Sequence, residues 1–201
     1  IIVGQSGGPT SVINSSLAGV FQAAKDLGAD KIYGMRNGIE GLLNEQYIDM
    51  SDYLKTSMDV EILKRTPSAF LGSCRFKLPT VDKSPETYDK IIEVLRKLDI
   101  QHFFYIGGND SMDTIKQLSE YAEAKNITDI TFMGVPKTID NDLAVTDHTP
   151  GYGSAAKYIG TTIKELSRDA VVQPIDVVTI VEIMGRNAGW LTAAAALAKG
   201  E

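Results

Sequence analysis

Short apolar runs, each of a length that crosses a sheet once, alternate along this chain with longer stretches of helical periodicity. Ile1 to Val3, Lys31 to Met35, His102 to Ile106, Ile130 to Val135 and Val177 to Ile183 read as strands. Ser11 to Leu27, Ser84 to Leu98, Ser111 to Lys125, Gly153 to Arg168 and Ala188 to Lys199 read as helices, with Ser84-Pro85 a good helix start. Strand-helix alternation implies parallel strands joined by crossover helices, so the expected fold is α/β: a doubly wound, mostly parallel, Rossmann-like sheet with helices on both faces. The stretch from Asn37 to Pro79 is less regular and is expected to form a sheet edge or an excursion near the mouth.

In such a sheet, ligands sit beyond the carboxyl ends of the strands, where helix N-termini present backbone N–H groups. Three loops of unusual composition fall there: Gly4-Gln5-Ser6-Gly7-Gly8-Pro9-Thr10, Gly107-Gly108-Asn109-Asp110-Ser111 and Pro136-Lys137-Thr138-Ile139-Asp140-Asn141-Asp142. Each glycine pair permits either a tight strand-to-helix turn or the close approach of backbone to a phosphate. Asp140 and Asp142 allow either a capped turn or a proton acceptor beside a partner for a divalent cation. Phosphoryl transfer to an alcohol uses both of the latter, since its loose transition state asks mainly for alignment and charge neutralisation.

Charge and cysteine content narrow the partners. A net charge of −6, with the 20 basic residues scattered among 26 acidic ones, gives no stripe for nucleic acid or anionic membrane. Cys74 is the single cysteine and the two histidines stand apart, which leaves no disulfide or structural zinc site and suits a cytoplasmic setting. The given residues show neither an apolar run of membrane-spanning length nor the basic start and apolar middle of a secretory signal. The chain starts inside an apparent strand without methionine, and its last helix halts at Gly200, so it is read as a fragment. His102 and His148 are read as surface or capping side chains, Cys74 and Trp190 as packing, and Lys157 with Lys164 as a solvated face.

The sequences GGNDS at Gly107–Ser111, PKTIDND at Pro136–Asp142 and MGR at Met184–Arg186 resemble the phosphofructokinase family in order and spacing. QSGGP, NGIEGL at Asn37–Leu42, LGSCRF at Leu71–Phe76 and GYGSAA at Gly151–Ala156 extend the resemblance over essentially all 201 residues. The resemblance implies a phosphofructokinase-type domain over residues 1–201 that binds the donor and carries the catalytic residues. It also implies that the C-terminal part begins the sugar-phosphate domain, with the remainder of the family chain absent. Asp140 would take the proton of the sugar 1-hydroxyl, with Asp142 and Asn109 near magnesium. Gly7, Gly8, Arg75, Gly108, Asn109, Asp110 and Ser111 would line the donor phosphates. Thr138, Ile139, Asp140, Met184, Gly185 and Arg186 would border the sugar phosphate, and Arg186 with Lys137 and Asp110 would join Asp140 in catalysis.

Two positions depart from the pattern of the ATP-using members, GGDGS and PGTIDND. Asp110 puts a carboxylate where the α-phosphate of ATP would lie, and Lys137 puts an ammonium within reach of pyrophosphate or the leaving phosphate. The pair resembles the pyrophosphate-dependent branch, whose reaction is reversible transfer from pyrophosphate to fructose 6-phosphate, with magnesium, in a dimer or tetramer. Asn109 stands where the family more often has aspartate, and Ala18 where the allosteric ATP enzymes have an effector-binding arginine. Three alternatives stay open at this stage: an ATP-dependent phosphofructokinase, a noncatalytic sugar-phosphate-binding module, and a dinucleotide-binding fold, the last disfavoured because GQSGGP is not GxGxxG.

Overall fold

The computed structural model describes residues 1–172 and 174–198. The chain divides into two compact units, Ile1–Lys137 and the residues from Thr138 onward. The first holds a five-stranded sheet of order β3-β2-β1-β4-β5. Its strands are β1 (Ile2–Gln5), β2 (Tyr33–Met35), β3 (Tyr47–Asp49), β4 (His102–Gly107) and β5 (Thr131–Pro136). β2, β1, β4 and β5 run parallel, and β3 closes one edge antiparallel to β2.

Alternation along the central strands sends successive side chains to opposite faces, which is how a sheet becomes covered on both sides. Ile2 of β1 and Phe103 and Tyr105 of β4 meet α4 (Pro85–Lys97) and α5 (Asn109–Ala124) through Tyr88, Ile91, Leu95 and Leu118. Val3 of β1 and Ile106 of β4 meet the opposite layer, in which α1 (Ser11–Asp26) packs Ile13, Leu17 and Phe21 with Val60 and Leu63 of α3 (Ser57–Arg65). Each of these large apolar side chains contributes about 1.5–3 kcal/mol by leaving water. Two apolar layers around one mostly parallel sheet give the doubly wound α/β architecture expected from the alternation.

The irregular excursion contains α2 (Gly38–Leu43), β3, one 3₁₀ turn at Met50–Asp52 and α3. Thr56 and Asp59 form a reciprocal capping box that starts α3. The second unit holds α6 (Tyr152–Ala170) and α7 (Trp190–Leu197). No described helix is long and apolar enough to cross a membrane.

The strand expected at Val177–Ile183 is not formed: the segment has no helix or strand assignment. A strand is stabilised by a neighbour that pairs with its backbone and covers its apolar face. Among the described residues no strand pairs with this segment, and Val178 and Ile180 are 89% and 90% exposed. The last helix is shorter than the expected Ala188–Lys199, and Lys199 and Gly200 lie outside the described residues. Trp190, read as packing, is 55% exposed, while Leu191 and Ala195 are the buried residues of α7.

Gly38 shows how tightly α2 is seated near the ends of β1 and β4. Its φ is +60°, and an added Cβ would lie 2.7 Å from the Tyr105 hydroxyl, 2.9 Å from Cys74 Sγ and 3.1 Å from the Gln5 carbonyl oxygen. Gly19, on the exposed side of α1, has open space around it. In urea unfolding of the full-length protein, Gly38→Ala is expected to lower stability by about 2 kcal/mol or more. Gly19→Ala should raise it by about 0.5–1 kcal/mol, because alanine is the better helix former. Equal effects of the two substitutions would contradict this packing.

Candidate active site

Parallel register brings the ends of β1, β4 and β5 level: Gln5 pairs with Ile106, and Gly107 with Pro136. The loops that follow therefore leave the sheet side by side. Ser6 N–H continues the ladder by donating to the Ile106 carbonyl at 2.9 Å, and Lys137 N–H donates to the Gly107 carbonyl at 2.9 Å. Only one glycine of each pair is demanded by geometry. Gly7 has φ +79°, which favours glycine, whereas a Cβ at Gly8 would meet nothing within 4 Å. A Cβ at Gly107 would fall 1.9 Å from Ser111 Oγ, while one at Gly108 would touch only the Lys137 carbonyl, at 3.7 Å.

Neither α1 nor α5 has a side-chain hydrogen bond at its N-cap, Thr10 or Gly108. Helix N-termini of this kind are suited to anions. Asn109 and Asp110 open α5 and are exposed, so the Asp110 carboxylate lies at the helix start. Ser111 is 3% exposed and fills the space above Gly107. The Lys137 ammonium reaches back to the first loop, donating to the Gly8 carbonyl at 2.5 Å, and this side chain is 6% exposed. A cation so buried requires acceptors around it, and a phosphate would supply further ones.

A third segment lies against the first loop. Gly7 N–H donates to the Cys74 carbonyl at 3.3 Å, and Ser6 Oγ to the same oxygen at 3.4 Å. Ser73 Oγ donates to the Gly7 carbonyl. These contacts leave the neighbouring Arg75 exposed beside the loop. Cys74 is buried as a free thiol, 3.7 Å from the Tyr105 hydroxyl. Burial, with Cys74 adding to it, pushes the Tyr105 phenol well above its usual range, and its oxygen accepts from Ile39 N–H at 3.4 Å.

In the second unit, the acidic motif is a built turn. Thr138 N–H donates to the Pro150 carbonyl at 3.2 Å, and Thr138 forms a parallel bridge with Gly151. Asp140 N–H donates to Thr138 Oγ1 at 3.1 Å, which orients the carboxylate that follows. Asn141, with φ +57°, is the scaffold of the motif: its Oδ1 accepts from Thr149 N–H at 2.8 Å and its Nδ2 donates to the Asp147 carbonyl at 3.1 Å. Asp140 Oδ1 is buried and receives no hydrogen bond. Buried carboxylate oxygens are ordinarily satisfied, and Thr149 Oγ1 in the same turn is likewise buried without a hydrogen bond.

The MGR segment is also in the second unit. Gly185 must be glycine, because a Cβ there would lie 2.1 Å from the Ala188 carbonyl oxygen. Arg186 has φ +48°, in a turn closed by the 2.7 Å bond from Ala188 N–H to the Gly185 carbonyl, and both Met184 and Arg186 are exposed. Ile139 is half-buried. His102 and His148 are exposed, and among the described residues no three His, Cys, Asp or Glu side chains cluster for a metal. No local signal in the sequence singles out Ser73, whose hydroxyl holds the Gly7 carbonyl, or Thr10, whose Oγ1 is buried without a hydrogen bond at the first loop.

The chain matches the phosphofructokinase family over residues 1–201. It is 45% identical over 200 residues to the pyrophosphate--fructose 6-phosphate 1-phosphotransferase of Xanthomonas campestris, covering 98% of this chain and 47% of that protein. Identity to the protein of the same name from Halomonas elongata is 44% over 198 residues, 96% of this chain and 46% of that one. The crystal structure of a pyrophosphate-dependent phosphofructokinase from Nitrosospira multiformis superposes with a TM-score of 0.89 at 41% identity, covering 99% of this chain and 49% of that one. The chain thus spans about half the length of the relatives it matches. A match along its whole length, on strand-end loops of this composition and geometry, makes the chain a member of the phosphofructokinase family.

Proposed function

We propose that the whole protein transfers a phosphoryl group reversibly from pyrophosphate to the 1-hydroxyl of fructose 6-phosphate, giving fructose 1,6-bisphosphate and phosphate. The observation that carries this reading is Lys137: a buried ammonium lies on the glycine loop after β1, at a position where the ATP-using pattern has glycine. It supplies positive charge for a small, densely charged donor. The relatives named above bear pyrophosphate in their names, which supports the same reading.

The residues divide by role. In the first unit, the Gly7–Gly8 loop and the Gly108–Ser111 helix start, with Arg75, receive the donor phosphates, Gly7 N–H being engaged by the Cys74 carbonyl and Ser111 N–H by the Gly108 carbonyl. Lys137 holds charge on the phosphate that leaves as the bridging P–O bond breaks. Asp110 excludes a nucleotide by occupying space and by repelling its extra phosphate. In the second unit, Asp140 accepts the proton of the sugar hydroxyl as its oxygen bonds to phosphorus. Thr138, Ile139, Met184 and Gly185 border the sugar phosphate, and Arg186 offsets developing negative charge. Residues from Thr138 onward thereby begin the sugar-phosphate domain.

Magnesium fits the donor set. Asp140-Asn141-Asp142 and Asn109 offer hard oxygen donors, and Mg²⁺ uses one or two protein oxygens together with waters and substrate phosphates, not a cage of side chains. Asp142 and Asn109 would hold it, and when bound it would neutralise phosphate charge. A cytoplasmic setting and a homo-oligomer, dimer or tetramer, accompany this reading.

Two outcomes test it in the full-length enzyme with magnesium. Asp140→Asn should lower turnover with pyrophosphate by at least about 10²–10⁴-fold while leaving the melting temperature nearly unchanged. Retained turnover would remove Asp140 from the base role. Wild-type protein should use ATP poorly, and Asp110→Gly combined with Lys137→Gly should admit it. Faster wild-type turnover with ATP than with pyrophosphate would overturn the donor assignment.

A further inference from the structure

Two buried amides bracket the first phosphate loop. Gln5 is the last residue of β1 and Asn14 the fourth of α1, and both are 0% exposed. Gln5 Nε2 donates to the Ile13 carbonyl at 3.0 Å and to Asn14 Oδ1 at 2.9 Å, closing the base of the loop between them. The same two side chains reach a distant segment. Leu71 N–H donates to Gln5 Oε1 at 2.8 Å, Phe70 N–H to Asn14 Oδ1 at 2.8 Å, and Asn14 Nδ2 to the Thr66 carbonyl at 2.9 Å.

That segment, residues 66–80, contains neither helix nor strand, so no sheet ladder or helical bond sets its path. It includes the Ser73–Arg75 stretch, whose backbone and Ser73 hydroxyl bond the Gly7 loop. Buried amides are costly unless satisfied, and these place their donors and acceptors on backbone groups of two pieces of chain that must keep a fixed spacing. We infer that Gln5 and Asn14 are positioning residues that set the distance between the Gly7–Gly8 loop and Arg75, and so govern use of the diphosphate donor without acting on the sugar.

The inference rests on the donor assignment above, so its test keeps the two apart. In the full-length enzyme, Asn14→Ala is expected to raise KM for pyrophosphate about tenfold or more, since small misplacements of binding groups are costly. KM for fructose 6-phosphate should change less than about twofold. Calorimetric affinity for pyrophosphate without the sugar should fall in parallel. In an Arg75→Ala background, the added effect of Asn14→Ala should shrink to under about threefold, the mark of two residues acting through one contact. Gln5→Met provides a second variant, with the same pattern expected if Asn14→Ala does not fold. A change in active fraction alone, an equal rise in both KM values, or a full Asn14→Ala penalty in the Arg75→Ala background would overturn the positioning role. Wild-type protein that does not use pyrophosphate would sink the donor assignment first and separately.

Discussion

A lysine that is 6% exposed and whose ammonium donates to a backbone carbonyl depends on the fold around it. Lys137 can occupy that place because the register of β4 and β5 carries the chain level with Gly107 before the sheet ends. Its partner loop is there because β1 ends level with Ile106 of β4. A one-residue slip in either pairing would turn alternate side chains to the other face and carry the ammonium away from the Gly8 carbonyl. The two apolar layers that fix the register thereby fix the charge at the loop.

Glycine serves these loops in three different ways. Gly7 supplies a left-handed turn, Gly107 makes room for Ser111 beneath the loop, and Gly8 is free of steric demand from its surroundings. Asn141 and Arg186 take left-handed conformations without being glycine, each inside a turn closed by hydrogen bonds. Backbone held in such conformations persists where the surroundings over-determine it, as often happens at ligand sites.

Much of the fold was legible because the hydrophobic period changes where the elements change. α1, expected at Ser11–Leu27, runs Ser11–Asp26, and β4 and α4 fall where their patterns put them. β3 is the sheet edge expected somewhere within Asn37–Pro79, but its span was hidden because Tyr47–Asp49 is too short to show alternation and draws its stability from β2. Val177–Ile183 shows the opposite failure, a strand-like composition without a neighbour to pair with. The loops of the candidate site were legible as motifs, yet which glycine of each pair is required depends on a side chain or a torsion that spacing alone cannot reveal. The amide clamp was invisible for a different reason: Gln5 and Asn14 bond backbone groups 52 to 66 residues away, and long-range partners leave no local signal.

In the proposed function, the buried ammonium of Lys137 serves a two-phosphate anion. A crystal structure of the full-length protein with pyrophosphate and magnesium tests it most directly. The account predicts pyrophosphate between Gly108, Arg75 and Lys137, with a phosphate oxygen in hydrogen-bonding distance of Lys137 Nζ. Pyrophosphate bound away from that group, or ATP seated in its place with the Asp110 carboxylate undisturbed, would contradict it.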